Sequence, residues 1–218
     1  SETTQLLNEA LFESKCQLTQ ASHIVITLGT AWGYRHVEQD KIVANCHKIP
    51  QKAFQKELAS VEEIAAITRR MLSAIAKVNS QAEVIFTVSP VRHTKDGFVE
   101  NQRSKAHLLA GMHQVLDESQ HTTYFPSYEL MMDELRDYRF YDRDLIHPNA
   151  LAVDYIWERF SSVYFSEETQ KTMQKVQEIQ RGLAHKPFNP DSEAHQRFLR
   201  NLEAKKRALQ VDFPHIQF

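Results

Sequence analysis

Two short runs of β-branched residues, separated by a long amphipathic segment, limit the folds open to this chain. Residues 22–28 and 83–89 are each apolar and rich in valine and isoleucine. Between them, Ser60 and Glu63 have the spacing of a capping box, and apolar residues follow at helical intervals. Strands that alternate with helices of this length are typical of parallel sheets joined by crossover helices. We therefore predict a three-layer α/β domain in which both of these strands are buried on two faces.

Other segments extend this pattern. Residues 122–125 form a weaker strand that Pro126 ends, and Gly111 predicts a place where a helix packs closely on the sheet. Apolar residues at helical spacing predict further helices near residues 5–19, 101–117 and 149–165.

The composition changes after Phe165. The following residues are rich in Gln, Glu, Lys and Arg and predict two solvent-facing helices, the later with Phe198, Leu199, Leu202 and Leu209 on one side. We predict a main domain over residues 1–165 and a charged helical extension over residues 166–218. The extension either docks on its own core or binds a partner.

Charge and composition exclude several classes of partner. The formal net charge is -2, so no basic excess indicates nucleic acid or an anionic membrane surface. No run approaches the roughly 18 apolar residues of a membrane span, and the first residues lack the pattern of a secretion signal. Two cysteines, Cys16 and Cys46, do not make a disulfide framework. We expect a cytoplasmic protein that binds neither nucleic acid nor membrane.

The pair Asp144-x-x-His147 is the strongest chemical motif. It precedes a predicted helix, where a carboxylate can orient an imidazole and stabilise its cation, as a general base requires. The alternative is an ordinary helix cap beside a surface histidine.

Further polar residues follow the predicted strands. Gly29 follows the first strand, and Arg92 and His93 follow the second, where their side chains suit an anionic or carbonyl group but could also close a loop. Carboxyl ends of parallel strands meet at one edge, where ligands gather in open sheets. We expect these residues and Asp144–His147 at one rim. Asn45 and His47 belong to no clear element but carry hydrogen-bond donors.

Neither a metal site nor a nucleophile is evident. Cys46, His47, His93 and His147 lack the spacing of metal ligands, so we expect no metal and no organic cofactor. Ser22 and Ser89 do not lie in a Gly-x-Ser-x-Gly elbow.

Six blocks of the chain carry a recognisable pattern, and they are residues 27–32, 45–48, 88–93, 100–106, 125–129 and 144–148. In this order they resemble the GSCFA domain, which is similar to the SGNH or GDSL-type hydrolases, a flavodoxin-like group of esterases and acyl hydrolases. The resemblance covers about residues 5–165. It implies that Asp144 and His147 are the catalytic pair and that Gly29 belongs to the turn beneath the oxyanion site. It also implies a small-molecule or glycan ester as substrate, with a small acyl group such as acetyl.

The chain departs from this family pattern in two places. The Gly-Ser-Cys-Phe-Ala block, where the related hydrolases carry their nucleophilic serine, is not among the 218 residues. The oxyanion-binding asparagine is replaced by Ala31, and Asn45 is the nearest substitute. We expect the nucleophile outside this chain, with a further segment or self-association completing the sheet.

Two alternatives to a hydrolase stay open. One is a non-catalytic module that binds a ligand on the same fold, as the two departures from the family pattern suggest. The other is an interaction protein that works through the charged C-terminal helices.

Overall fold

The structure is a computed structural model that describes residues 2–218. Contacts divide it into two units, one reaching Ile156 and one spanning Trp157–Phe218. Within the described residues, the strands are β1 (His23–Leu28), β2 (Trp32–His36), β3 (Lys41–Val43), β4 (Phe54–Leu58), β5 (Glu83–Val88) and β6 (Thr122–Phe125). The helices are α1 (Glu2–Gln20), α2 (Val61–Val78), α3 (Phe98–Leu116), the short α4 (Ser127–Glu129), α5 (Ala150–Tyr164), α6 (Glu167–Ala184) and α7 (Glu193–Asp212).

A parallel sheet with strand order β1-β5-β6 organises the first unit. Its register aligns Val25 with Ile85 and Ile85 with Thr123. Parallel neighbours need long crossover connections, which contain α2 between β1 and β5 and α3 between β5 and β6. The predicted α/β class, with helices alternating with parallel strands, is confirmed. All three strands therefore end at the same edge of the sheet.

Helix α2 begins where the capping box predicts. The Ser60 hydroxyl accepts from the Glu63 backbone N–H at 3.1 Å, and the Glu63 carboxylate accepts from the Ser60 N–H at 2.8 Å. A cap of this kind is worth about 1 kcal/mol. The apolar face of the helix then packs with the sheet, where Ile64 joins Val84 and Phe86 in the main core.

Gly111 allows a close approach between two helices. A Cβ atom there would lie 2.4 Å from the Val61 carbonyl oxygen and 2.7 Å from Ile64 Cβ. Glycine is therefore required because α3 touches the start of α2. The prediction that this residue packs on the sheet was wrong, since both helices pack into the same core and meet one another there.

The two predicted strands differ in burial. In β5, Val84, Ile85, Phe86 and Val88 are all buried, as predicted. In β1, alternate residues are exposed and Val25 is 51% exposed, so the prediction of two buried faces was wrong. Among the described strands β1 has only β5 as a neighbour, and this edge position accounts for its partial exposure.

A second sheet, antiparallel with order β3-β2-β4, was not predicted. Its register aligns Trp32 with Leu58 and Gly33 with Glu57. The sequence of β2, Trp-Gly-Tyr-Arg-His, lacks the regular alternation of apolar and polar residues that identifies a strand, and each of its residues is half-buried. The Arg35 guanidinium bonds the Glu57 carboxylate at 3.0 Å across this sheet.

The second unit contains the two helices predicted after residue 165. Ile179 of α6 and Leu202 and Leu209 of α7 form its buried core. A Cβ at Gly182 would lie 2.6 Å from Leu202 Cδ1, so this glycine lets the helices approach. Leu199, predicted on the same apolar side, is 41% exposed. Across residues 2–218, no helix combines the length and apolar character needed to cross a bilayer.

Candidate functional site

The carboxyl edge of the parallel sheet gathers most of the predicted site residues. Gly29 directly follows β1, and Ser89 directly follows β5. A Cβ at Gly29 would lie 3.6 Å from the Nε2 atom of His93, so the two loops touch. The Arg92 backbone N–H donates to the Ile146 carbonyl at 3.3 Å, which brings in the third segment. The structure thus unites Gly29, Arg92 and His93 with the segment that carries Asp144 and His147.

Asp144 and His147 are in direct contact. The Nδ1 atom of His147 lies 2.7 Å from Asp144 Oδ2, and Asp144 Oδ1 accepts from the backbone N–H groups of Ile146 at 2.8 Å and His147 at 3.0 Å. Nδ1 therefore donates to the carboxylate, which leaves Nε2 as the basic nitrogen. The side chains are 58% and 45% exposed, for His147 and Asp144 respectively. This geometry is that of a histidine oriented by an acid.

The hydrogen bonds to Asp144 also stabilise its charged form. The backbone N–H of His147 is the largest cause, followed by the His147 ring and the Ile146 N–H, and together they lower the pKa of Asp144 to about 2. The carboxylate is therefore ionised throughout the neutral range. It can stabilise a positive charge on the imidazole when His147 accepts a proton.

The loop around the pair is tightly constrained. Leu145 has a positive φ of 58°, which is uncommon for a residue other than glycine. The Leu145 N–H donates to the Asp142 carbonyl at 2.9 Å, and the Asp142 N–H donates to the His147 carbonyl at 2.8 Å. The segment therefore closes on itself just before α5 begins at Ala150.

Arg92 holds this loop from the side of the sheet. Its Nε donates to the Leu145 carbonyl at 3.2 Å, and a second guanidinium nitrogen donates to the same oxygen. The guanidinium also lies 4.7 Å from the ring centre of Tyr141 and 5.5 Å from that of Tyr138. These contacts fix the carbonyl group of Leu145, the residue with positive φ. Arg92 therefore supports the loop that presents His147, whatever else it binds.

Lys105 is a site residue that our sequence analysis missed. It lies on α3, is 1% exposed, and its Nζ donates to the Gly29 carbonyl at 2.8 Å and the Ser89 carbonyl at 2.6 Å. Burial lowers the pKa of this amine to about 8. Its position on the buried stripe of α3, with Asn101 and Leu108, is the sequence signal that could have revealed it.

Two further polar residues of α3 support the same loops. Ser104 is buried, and its hydroxyl accepts from the Ala31 backbone N–H at 2.7 Å and lies 2.9 Å from the Thr30 hydroxyl. The Asn101 side chain accepts from the His93 backbone N–H at 2.8 Å. Helix α3 therefore fixes the backbone of both strand-end loops through buried hydrogen bonds.

Asn45 and His47 lie in an exposed loop after β3. The Asn45 side-chain oxygen accepts from the His47 backbone N–H at 2.8 Å, which forms a local turn. His47 and Lys48 both have positive φ, of 46° and 62°. The hydrogen bonds described for these residues stay within the turn, and the structure does not join them to the His147 loop.

Comparisons with known proteins agree with the sequence blocks. The model of the GSCFA family matches residues 1–160. The model described as GSCFA domain protein, C-terminal domain, matches residues 176–218. No curated protein matches the chain.

Proposed function

This chain belongs to the GSCFA family. On that premise we propose that it supplies the general base of an esterase with an SGNH-like, flavodoxin-type fold. The substrate is a small-molecule or glycan ester with a small acyl group. Asp144 and His147 supply the proton transfer. Gly29 and its neighbours supply the turn that faces the substrate carbonyl.

The observation that carries this proposal is the contact of 2.7 Å between His147 Nδ1 and Asp144 Oδ2. In the neutral imidazole this contact assigns the proton to Nδ1, so that Nε2 is the nitrogen that can take a proton from a hydroxyl. Because Asp144 is ionised, the imidazolium that forms is stabilised. The location at the carboxyl edge of a parallel sheet, where ligands gather in open α/β folds, gives independent support.

The chemistry has two steps. A serine hydroxyl attacks the ester carbonyl carbon while its proton moves to His147 Nε2, which forms a tetrahedral oxyanion. The oxyanion collapses, the bond to the alkoxide breaks, and His147 returns the proton to that alkoxide. Water then repeats the attack on the acyl-enzyme and releases the acid. We place the serine outside the 218 residues, as the resemblance to SGNH hydrolases implies.

A serine-directed fluorophosphonate probe tests this proposal on the full-length gene product. We expect labelling that His147→Ala abolishes. His121→Ala is the matched control, because His121 Nδ1 also lies close to a carboxylate, 2.9 Å from Glu83 Oε1, and is similarly exposed. Labelling that survives His147→Ala, or that disappears equally in His121→Ala, would contradict the proposal.

A second candidate is a binding module without catalysis. Ala31, at the position of the usual oxyanion asparagine, is 5% exposed, and its N–H is already bonded to Ser104. Neither the side chain nor the backbone N–H of Ala31 is therefore available to a substrate. Absence of labelling in the wild-type protein, together with saturable binding of an acyl ester, would favour this candidate over the esterase.

A further inference from the structure

The buried ammonium of Lys105 is unusual because its described partners are neutral. Both hydrogen bonds go to backbone carbonyls, of Gly29 and Ser89, and no described carboxylate forms an ion pair with it. The Tyr128 ring lies 5.6 Å from Nζ. A buried charge without a counterion is costly to maintain. Its position between the two strand-end loops of the proposed site points to a role in that site.

The bond from Lys105 to Gly29 fixes the direction of one peptide unit. The described backbone contains no cis peptide bonds, so the Gly29–Thr30 unit is trans. In a trans unit the C=O and N–H groups point in opposite directions. The Gly29 carbonyl points at the fully buried Nζ. The Thr30 N–H therefore points away from Lys105.

The Thr30 N–H differs from the two N–H groups that follow it. The Ala31 N–H donates to the Ser104 hydroxyl at 2.7 Å, and the Trp32 N–H donates to the Thr30 hydroxyl at 3.1 Å. Among the described residues, no group accepts the Thr30 N–H. Thr30 as a whole is half-buried, whereas Ala31 is buried. The Gly29 turn approaches the loop of Arg92 and His93, and that loop bonds the segment of the proposed catalytic pair. An oriented donor without an acceptor, in this turn, suits a developing negative charge.

We propose that Lys105 is a positioning residue that holds the Gly29 carbonyl inward and thereby presents the Thr30 N–H as the oxyanion donor of this chain. This inference rests on the proposed esterase function for the identity of the anion. It explains how the turn can work with Ala31 in place of the asparagine, since a backbone donor takes the place of the side-chain amide. The hold on Ser89 fixes the neighbouring loop relative to the same turn.

Amide hydrogen exchange on this chain tests the geometry without any activity. In the wild type we expect the Thr30 amide to exchange at least about 100-fold faster than Ala31, whose N–H is bonded and buried. Lys105→Met should reduce this difference by about 10-fold or more, because the peptide unit is then free to turn. Lys77→Met, an exposed lysine on α2, should leave it unchanged. Equal protection of Thr30 and Ala31 in the wild type would overturn the proposal even if Lys105→Met did not fold.

Ester hydrolysis by the full-length gene product tests the role. Lys105→Met should lower kcat by about 100-fold and change KM by less than about threefold, since the donor acts on the oxyanion rather than on the bound ester. Lys77→Met should change neither. Unchanged kcat in Lys105→Met, in an active enzyme that requires His147, would overturn the inference and leave the proposed function intact. An inactive wild type would instead remove the proposed function, and amide exchange would still decide the orientation of Thr30.

Discussion

Two histidine–carboxylate pairs lie at opposite ends of the parallel sheet. At the carboxyl edge, His147 Nδ1 is 2.7 Å from Asp144; at the amino edge, His121 Nδ1 is 2.9 Å from Glu83, the first residue of β5. The two imidazoles are similarly exposed, at 58% and 65%. Neither the distance between partners nor exposure therefore distinguishes a catalytic pair from an ordinary surface pair.

The surroundings of the two pairs differ. Asp144 accepts two backbone N–H bonds as well as the imidazole, whereas the hydrogen bond described for the Glu83 side chain is the one to His121. The loop that carries His147 is also held by Arg92. A surface pair pays for its own ordering with side-chain entropy and gains little. At the carboxyl edge the backbone has already fixed the acid, and this preorganisation is what catalysis requires.

The largest expected effect is the loss of hydrolysis on removing the imidazole at the carboxyl edge. His147→Ala should reduce kcat/KM for an acyl ester by at least about 10⁴-fold, because removing the general base of such a triad costs more than removing its acid. His121→Ala should stay within about twofold of the wild type. Steady-state kinetics of the full-length protein measure both. Similar losses in the two variants would end the distinction between the pairs.

A smaller effect is expected from removing only the charge of the acid. Asp144→Asn should lower kcat by about 10²- to 10⁴-fold, because the amide can hold the ring in the wrong tautomer and cannot stabilise its cation. Glu83→Gln at the amino edge is the matched control and should leave kcat unchanged. The same kinetic measurement applies. An Asp144→Asn enzyme with full activity would show that Asp144 serves only as a turn residue.

The carboxyl edge also contains buried hydrogen bonds, and their contribution to the free energy of unfolding can be measured. Ser104→Ala should destabilise the fold by about 1–3 kcal/mol, because it leaves the buried Ala31 N–H without an acceptor. Ser14→Ala removes an exposed hydroxyl that bonds the Ala10 carbonyl within α1, and should change the free energy of unfolding by less than about 0.5 kcal/mol. Denaturant unfolding compares them. Equal effects would mean that the hydrogen bond from Ala31 to Ser104 does not stabilise the carboxyl edge.

The sequence predicted the elements of this edge better than their environment. Periodicity and β-branched runs located β5, β6 and α2, because burial on one face leaves a regular pattern. The antiparallel sheet was missed because β2 contains Gly33 and Arg35 and is half-buried throughout. The exposure of Val25 was missed because a strand's apolar content does not reveal how many neighbours it has.

In the candidate site, too, local contacts could be predicted from the sequence and contacts between distant segments could not. Asp144 and His147 were predictable because their contact spans three residues of one loop. Lys105 was not, since its partners at Gly29 and Ser89 are backbone atoms 76 and 16 residues away in the chain. Backbone acceptors leave no mark on a sequence. A lysine on the buried stripe of a helix was the trace that the sequence offered, and the sequence analysis included it only within block 100–106 of the family resemblance.

The smallest expected effect is a dependence of stability on pH that comes from the acid of the carboxyl-edge pair. Hydrogen bonds from His147 and Ile146 lower the pKa of Asp144 to about 2 in the folded state, below its ordinary value of 3.8. Between these values the unfolded chain binds more protons, so stability rises with pH. The contribution is complete above about pH 4 and is lost as pH falls through 2.

Two measurements check this titration. The carboxyl ¹³C shift of Asp144 should titrate near pH 2, and the stability difference between wild type and Asp144→Asn should shrink as pH falls from about 4 to 2. Titration at the ordinary value would mean that the two backbone N–H groups do not hold the carboxylate in solution. The carboxyl-edge pair would then be no better organised than the pair of His121 and Glu83, and the preorganisation on which the comparison rests would be lost.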